Sequence, residues 1–282
     1  MVVPTNEALV WMCGAAAAAA ATTGAMLVVT RLLYERRLRL LRAVENVLTP
    51  AREARRLISR APLRDLRLLV RESSISRPAA KAFADALVAR IGDAPLLDAA
   101  TSPRPRKRWR RVEALRILTF ARRDGSCGLL AAALTDGTPE VKTVAVALLR
   151  EIGDRRSARV LVDALRSGCH SRSRVAAALD AFGVDIADWI APLLDAHDST
   201  TRFWAATLMQ RYPRTPGLAK RLGALSTDAD PRVRKAAVAA IAAVGGAAAT
   251  IVIRARLSDE VPFVRDHAAR ALARLQVGGH AA

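Results

Sequence analysis

The side chains best suited to chemistry are few in this sequence and share no functional spacing. The chain has four histidines and three cysteines: His170, His197, His267, His280, Cys13, Cys127 and Cys169. The histidines form no HExxH pattern and the cysteines form no CxxC pattern, so the sequence predicts no metal site. The GxSxG, P-loop and GxGxxG motifs are also absent. We therefore expect no catalytic residue and no cofactor.

Cys127 is the one thiol whose position could favour reactivity. It follows Ser126 at the start of an apolar segment, and a thiol at a helix N-terminus can have a lowered pKa. Capping and packing are the simpler interpretation, and we adopt it. The odd, scattered set of cysteines suits a reducing compartment better than a disulfide framework.

Composition predicts an all-α protein with an acidic neighbour. The chain of 282 residues is 52% hydrophobic and only 4% aromatic, and helix-favouring Ala, Leu and Arg dominate. Its net charge of +19 suggests contact with anionic lipid, nucleic acid or an acidic protein. Part of that charge follows from about 40 Arg against 5 Lys, a ratio typical of a GC-rich bacterial genome.

Residues 8–30 carry no charge and are long enough to cross a bilayer. As a helix, 23 residues extend over roughly 34 Å, compared with a hydrocarbon core of about 30 Å. The alternatives are a buried alanine-rich helix and a cleaved signal peptide, although Glu7 is the only charged residue before the run. We predict one transmembrane helix that anchors the protein in a bacterial inner membrane.

The residues after this run indicate an orientation. Residues 31–124 contain 24 basic and 10 acidic side chains, so most of the excess charge follows the apolar run. By the positive-inside rule, residues 1–7 would lie outside and the rest in the cytoplasm. Residues 31–61 would form a basic juxtamembrane helix on an anionic lipid surface. The side chains predicted to contact that surface are Arg31, Arg36, Arg37, Arg39 and Arg42.

A repeat of 30 to 32 residues occupies most of the chain. Its basic anchor residues are Lys81, Arg111, Lys142, Arg172, Arg202, Arg234 and Arg265. The residue three after each anchor is small or Val, and the residue seven after is aliphatic or Met. Both positions lie on one face of a helix. A second apolar segment precedes each anchor helix, so the unit is a helix pair that buries its apolar face only by stacking.

Three of these units resemble the short HEAT repeats of bacterial proteins: LTDGTPEVKTVAVALLREIG, LSTDADPRVRKAAVAAIAAVG and LSDEVPFVRDHAARALARL. The resemblance implies a right-handed α-solenoid of about seven helix pairs over residues 62–276, followed by a flexible tail at residues 277–282. In that family an Asp before the proline pairs with the basic anchor. Asp136, Asp228 and Asp259 match that position, while the other four units have no Asp there.

A solenoid of this kind points to binding rather than catalysis. The inner face is usually built from the second helix of each pair, and the position two after the anchor is the most variable one. We therefore predict a partner surface in that column and beside it, at Glu113, Arg174, Phe203, Trp204 and His267. The alternative is that Trp204 only fills a gap in the core.

The sequence leaves three functional hypotheses. We favour a membrane-anchored adaptor that presents its solenoid to a protein partner, such as an inner-membrane enzyme complex for envelope or polysaccharide assembly. The second is a basic nucleic-acid-binding protein, since HEAT-like folds include DNA glycosylases. The third is a HEAT-like lyase or cofactor chaperone, although no ligand pocket is marked in the sequence.

Overall fold

The computed structural model describes residues 6–45, 51–71, 76–121, 125–135, 138–183 and 185–279. All regular structure in these residues is helical, as the composition predicts. The α-helices are α1 (Asn6–Glu45), α2 (Ala51–Arg60), α3 (Leu63–Arg71), α4 (Arg77–Ile91), α5 (Asp93–Thr101), α6 (Arg108–Phe120), α7 (Ser126–Thr135), α8 (Pro139–Ile152), α9 (Arg155–Ser167), α10 (Arg172–Asp180), α11 (Ala187–Ile190), α12 (Ser199–Met209), α13 (Leu218–Leu225), α14 (Pro231–Val244), α15 (Gly246–Ala255) and α16 (Pro262–Gly279). Three 3₁₀ helices lie at Pro105–Lys107, Ala191–Asp195 and Arg256–Ser258.

The predicted repeat corresponds to these helices one by one. Each of the seven anchors lies in an even-numbered helix from α4 to α16, and each odd-numbered helix from α3 to α15 supplies the preceding apolar segment. The segment before α12 is the least regular. Pro192 lacks an amide donor, and the chain there is a short α11 continued by the 3₁₀ helix Ala191–Asp195.

Burial confirms the register of the repeat. The residues three after the anchors are at most 2% exposed: Ala84, Ala114, Ala145, Val175, Ala205, Ala237 and Ala268. Six of the seven residues seven after the anchors are also buried, and Leu272 in the last unit is half-buried. A small side chain lets the helix backbones approach closely, and the longer aliphatic side chain fills the space beside it.

Local signals explain where these helices begin and end. Proline is the first residue of α8, α14 and α16, where its missing amide hydrogen is not needed. Asp154 caps α9 by accepting a hydrogen bond from the Ser157 amide at 2.7 Å. Gly153 ends α8 in the left-handed conformation, with φ of 69°, and its amide donates to the Leu149 carbonyl.

The chain divides into two compact units. The first comprises residues 1–96 and 116–122, and the second comprises residues 97–115 and 123–282. In the second unit the even-numbered helices from α8 to α16 pack on one another in chain order, and each also packs on the helix or helices before it in its own repeat. This consecutive packing is the arrangement expected of stacked helix pairs.

In the first unit, α1 packs on α2 and α4, and α3 packs on α4. Asp65 of α3 is 2% exposed, and its carboxylate lies 3.7 Å from Arg36 Nε and 3.5 Å from Arg37 Nε, both in α1. The basic end of α1 is therefore held partly by a buried carboxylate of its own unit.

The prediction of a transmembrane anchor at residues 8–30 is wrong. None of the helices within the described residues is long and apolar enough to cross a membrane. The prediction depended on the length of an uncharged run, but residues 15–21 are all alanine, whose single methyl group adds little apolar surface. The orientation and the inner-membrane location inferred from that anchor are withdrawn with it.

Two other predicted boundaries stay predictions. The helix predicted over residues 31–61 is covered by the end of α1, which runs from Asn6 to Glu45, and by α2, which begins at Ala51, and residues 46–50 lie outside the described residues. The tail predicted at residues 277–282 lies partly outside the described residues, and α16 extends as far as Gly279. Asp136, one of the predicted pairing residues, also lies outside them.

Candidate partner-binding surface

The even-numbered helices of the second unit share a set of outward positions. The positions one, two and five residues after the anchor are mostly exposed or half-buried, whereas those three, four, six and seven after it are mostly buried. This pattern follows the helical period. We call the accessible set the second-helix face, and it comprises Thr143, Val144, Ala147, Ser173, Arg174, Ala177, Phe203, Trp204, Thr207, Lys235, Ala239, Asp266, His267 and Arg270.

Phe203 and Trp204 lie on α12, the middle helix of the five. Both side chains are half-buried, and their rings meet edge to face with centroids 4.9 Å apart. Thr207, one turn further on, donates its hydroxyl hydrogen bond to the Phe203 carbonyl at 2.8 Å. The two rings therefore support each other and keep apolar surface accessible on a face that is otherwise small or polar.

A ladder of ion pairs fixes the spacing of these helices. Arg202 of α12 donates two hydrogen bonds, of 2.7 and 3.0 Å, to the carboxylate of Asp228, which precedes α14. Arg234 of α14 does the same to Asp259, which precedes α16, at 2.9 and 2.8 Å. Both carboxylates are almost fully buried, with side-chain exposures of 6% and 2%. Planar guanidinium groups suit this bidentate geometry.

Each Asp of the ladder joins two repeats. Asp228 receives Arg202 of the preceding repeat on its carboxylate, and its backbone carbonyl accepts a 2.9 Å hydrogen bond from Arg234 of its own repeat. The family resemblance suggested the pairing of residue types but not that the side-chain pair crosses between repeats. The arrangement locks the register of neighbouring helices and orients the second-helix face.

The ladder continues towards α8 with different chemistry. Where the Asp position is occupied by Ala196, Arg172 instead lies 3.2 Å from Asp198, the capping residue of α12. Lys142 of α8 reaches the Cys169 carbonyl at 2.8 Å. These contacts join α8 to α10 and α10 to α12. Where the expected Asp is missing, the basic anchor therefore uses another acceptor to reach the next repeat.

Hydrogen bonding determines the charge state of the ladder. The hydrogen bond from Arg234 holds the pKa of Asp259 below its usual value. Burial works in the opposite direction, but the ion pair outweighs it. The same hydrogen bond to Asp259 raises the pKa of Arg234, so both partners stay charged across the ordinary pH range.

The predicted site residues do not all share this face. Arg174 is exposed on α10, and His267 is half-buried on α16, where burial and the nearby cations Lys235, Arg274 and Arg270 lower its pKa. Glu113 is half-buried on α6, outside the helices that define the face.

The column two after the anchor is therefore not uniformly accessible. Phe83 and Ala236 occupy it and are 0% and 5% exposed. Sequence reasoning missed the neighbouring accessible positions, such as Lys235 and Thr207. The helical period contained the signal, since both positions lie opposite the buried columns.

The side chains with potential for chemistry remain apart. Burial raises the pKa of the Cys127 thiol, which opposes the reactive interpretation. Within the described part of the chain, no group of three His, Cys, Asp or Glu side chains could hold a metal ion. A surface cleft of about 430 Å³ beside Tyr212 is lined by Asp185, Asp188 and Arg211 among others, and it contains no nucleophile and base in contact.

The five arginines predicted to contact lipid lie on α1. Arg36 and Arg37 face Asp65, and Arg31 forms an exposed ion pair with Glu35 at 3.1 Å. Arg39 is exposed and, together with Arg36 and Arg60, lines a second cleft of about 420 Å³. Arg42 is also exposed. The predicted contact of this set with a lipid surface stays a prediction.

Comparison with known proteins finds a family match for one part of the chain. Residues 215–282 match the family described as HEAT repeats. This segment contains α13 to α16. It also contains Asp228 and Asp259, the carboxylates of the two bidentate Arg–Asp pairs. The HEAT resemblance is thus confirmed in part, for the C-terminal repeats. No curated protein matches the chain.

Two solved structures are similar over most of the chain. Human deoxyhypusine hydroxylase in complex with glycerol is 15% identical, and the alignment covers 88% of this chain and 98% of that chain with a TM-score of 0.37. An engineered protein is 20% identical, with 84% and 77% covered and a TM-score of 0.38. At these scores we transfer no activity to this chain from either structure.

Proposed function

We propose that this protein is a non-catalytic adaptor that binds a protein partner on its second-helix face. The observation that carries the proposal is the Phe203–Trp204 pair, which keeps aromatic surface accessible on the middle helix of the stack. Trp is enriched among the residues that dominate binding energy, and such residues lie near the centre of an interface. Aromatic side chains are also scarce in this chain, at 4% of residues.

The side chains around this pair suggest the chemistry of the partner. The second-helix face carries Arg174, Lys235 and Arg270, against the single acidic residue Asp266. A partner segment with one apolar anchor and several acidic side chains would complement this charge. The Arg–Asp ladder supports the proposal further, because a preorganised surface loses less conformational entropy on binding.

The test compares capture of partners by matched variants of the full chain. The double variant Phe203→Ala/Trp204→Ala removes the proposed anchor. Trp189→Ala is the control, since Trp189 is also half-buried but lies on α11, stacked against Arg155 at 4.8 Å and Arg159 at 5.5 Å. Loss of a central aromatic anchor typically costs about 2 kcal/mol or more, roughly a thirtyfold loss in affinity.

We expect a protein captured by the wild type and the Trp189 variant to be lost by the double variant. The helical circular dichroism spectrum and the melting temperature of the double variant must stay close to those of the wild type. If the double variant instead loses several kcal/mol of stability, as deletion of core aromatics does, Phe203 and Trp204 are packing residues and the proposal fails.

A further inference from the structure

Residues 104–111 form the most concentrated basic sequence in the chain. The stretch reads RPRKRWRR, in which six of eight residues are Arg or Lys and one is Trp. None of residues 99–112 is acidic. We call this stretch the basic segment. It comprises the 3₁₀ helix Pro105–Lys107, the residue before that helix and the first four residues of α6.

The backbone of the basic segment is held in place. Pro103 and Pro105 restrict the chain on both sides of Arg104, and the Lys107 amide donates to the Arg104 carbonyl at 2.9 Å. Arg111 is 7% exposed and donates to the Ser102 carbonyl at 3.3 Å, which folds the end of the segment back on its start. Arg111 is therefore a structural residue, and the others carry the surface chemistry.

Most of the charge in the basic segment is unneutralised. Glu140 of α8 lies 3.6 Å from Arg108. Among the described residues, no carboxylate is within 4 Å of the charged nitrogens of the remaining cations, which are Arg104, Arg106, Lys107 and Arg110. Several like charges held this closely repel one another, and that repulsion is relieved when an anion binds.

Trp109 adds a flat apolar surface to this charge. Its side chain is 57% exposed, the highest value for any aromatic residue of the second unit, and the Arg108 guanidinium lies 5.6 Å from the centre of its ring. An indole left in water contributes little to the stability of the fold. Beside unpaired cations it offers what a nucleotide needs, a stacking surface for the base and positive charge for the phosphate.

We propose that the basic segment binds single-stranded nucleic acid, with a base stacked on Trp109 and the backbone phosphates held by the surrounding arginines and Lys107. A lipid surface is the less favoured anion, because a helix that lies in a membrane interface needs a continuous apolar face. Here one exposed Trp stands among five accessible cations. The proposal uses residues separate from Phe203 and Trp204 and does not depend on the adaptor function.

Binding of fluorescein-labelled oligothymidylate to the full chain tests the proposal by fluorescence anisotropy. The charge variant is Arg104→Gln/Arg106→Gln/Lys107→Gln/Arg110→Gln. The matched control removes four exposed cations elsewhere in the second unit: Arg156→Gln/Arg214→Gln/Lys220→Gln/Arg254→Gln. Both lower the net charge equally, so the comparison separates the basic segment from the general charge of the protein.

The salt dependence gives the expected size of the effect. Each phosphate contact adds about −0.7 to the slope of log affinity against log salt for a single strand. The charge variant should therefore flatten the slope by about 3 and weaken binding by about tenfold or more at about 0.1 M salt. The control should keep the slope of the wild type. An equal loss in both variants would show nonspecific attraction and overturn the proposal.

Trp109→Ala separates nucleic acid from other polyanions. Because it removes a stacking surface and no charge, it should weaken oligothymidylate binding about fivefold or more. Its binding to inorganic polyphosphate, which has no bases, should equal that of the wild type. Unchanged oligothymidylate binding by Trp109→Ala would refute base stacking. Segment-dependent binding to phosphatidylglycerol vesicles without oligothymidylate binding would assign the segment to lipid instead.

Discussion

The ion pair between Arg234 and Asp259 allows the sharpest test of how the repeats are held together. The change Asp259→Ala removes a carboxylate whose side chain is 2% exposed and which accepts hydrogen bonds from Arg234 Nε and Nη2. It also removes the acceptor for the Val261 amide, which donates to the same carboxylate at 3.0 Å. The substitution leaves a guanidinium that is only 11% exposed without its counter-charge.

Removing one member of a buried pair typically costs about 3–5 kcal/mol, because the remaining charge stays desolvated. Arg234 keeps two hydrogen bonds from Nη1, to the carbonyls of Asp228 at 2.9 Å and Ala229 at 3.2 Å. We therefore expect the lower end of that range, about 3 kcal/mol. For a unit of this size, 1 kcal/mol lowers the melting temperature by about 2–4 °C, so the total decrease should be about 6–12 °C.

Thermal and urea unfolding of the full chain measure this loss, with Asp163→Ala as the control. Asp163 forms exposed ion pairs with Arg159 and Arg166, at 3.5 and 3.7 Å, and such pairs contribute about 0–1 kcal/mol. The double variant Arg234→Met/Asp259→Ala should recover part of the loss, because the guanidinium of Arg234 is removed together with its counter-charge. If Asp259→Ala and Asp163→Ala destabilise the protein equally, the ladder does not hold the repeats together.

Four further predictions concern packing, pH and capping. Ala237→Leu should cost about 1–3 kcal/mol by overpacking the contact of α14, whereas Ala243→Leu at an exposed position should cost less; equal melting temperatures would mean that the register is wrong. Because the pKa of Asp259 is lowered by Arg234, the stability difference between the wild type and Asp259→Ala should be full above about pH 4 and should shrink as the pH falls below it, as measured by urea unfolding across pH. The pKa of His267 is lowered by burial, so the wild type should lose stability as the pH falls below about 6.5, and His267→Asn should show a flatter profile. Asp154→Ala should lower the unfolding free energy by about 1 kcal/mol through loss of the α9 cap; no change would exclude a capping role.

Much of the helical organisation could be predicted from the sequence because periodic burial leaves a direct trace in it. Ala237 and Ile241 lie four residues apart on one face of α14, and both are buried as the repeat predicts. Helix ends were also readable, since the fixed φ of Pro231 suits the first turn of a helix and Gly153 can adopt the left-handed conformation that ends one. The burial of helix positions and the location of helix ends depend on local geometry, which a short stretch of sequence determines.

The ladder was predictable only in part, because it depends on contacts between repeats. Asp228 and Asp259 were identified from their position before the proline, but their partners are the anchors of the preceding repeats. The Arg172–Asp198 contact replaces the missing Asp by using the cap of the next helix. No pattern within one repeat contains that information.

The membrane prediction failed because charge pattern and apolar length are indirect signals. Arginines after an uncharged run are typical of a topology signal, but Arg36 and Arg37 face the buried Asp65 of α3. A sequence read along one dimension does not show that contact, which lies about 30 residues away in the chain. The basic segment, in contrast, was not singled out as a site from the sequence. Its charge was counted in the regional excess, but only the exposure of Trp109 distinguished it as a candidate site.

The central claim is that partners bind on the second-helix face, and site-specific photo-crosslinking tests it most directly. A benzophenone amino acid placed at Ala177 on α10 would report from that face, and one at Ala224 on α13 would report from an exposed position on a first helix. The partner of interest is the protein that the Phe203→Ala/Trp204→Ala variant no longer captures. We expect this partner to crosslink at position 177 and not at position 224. Crosslinking at 224 without crosslinking at 177 would contradict the claim.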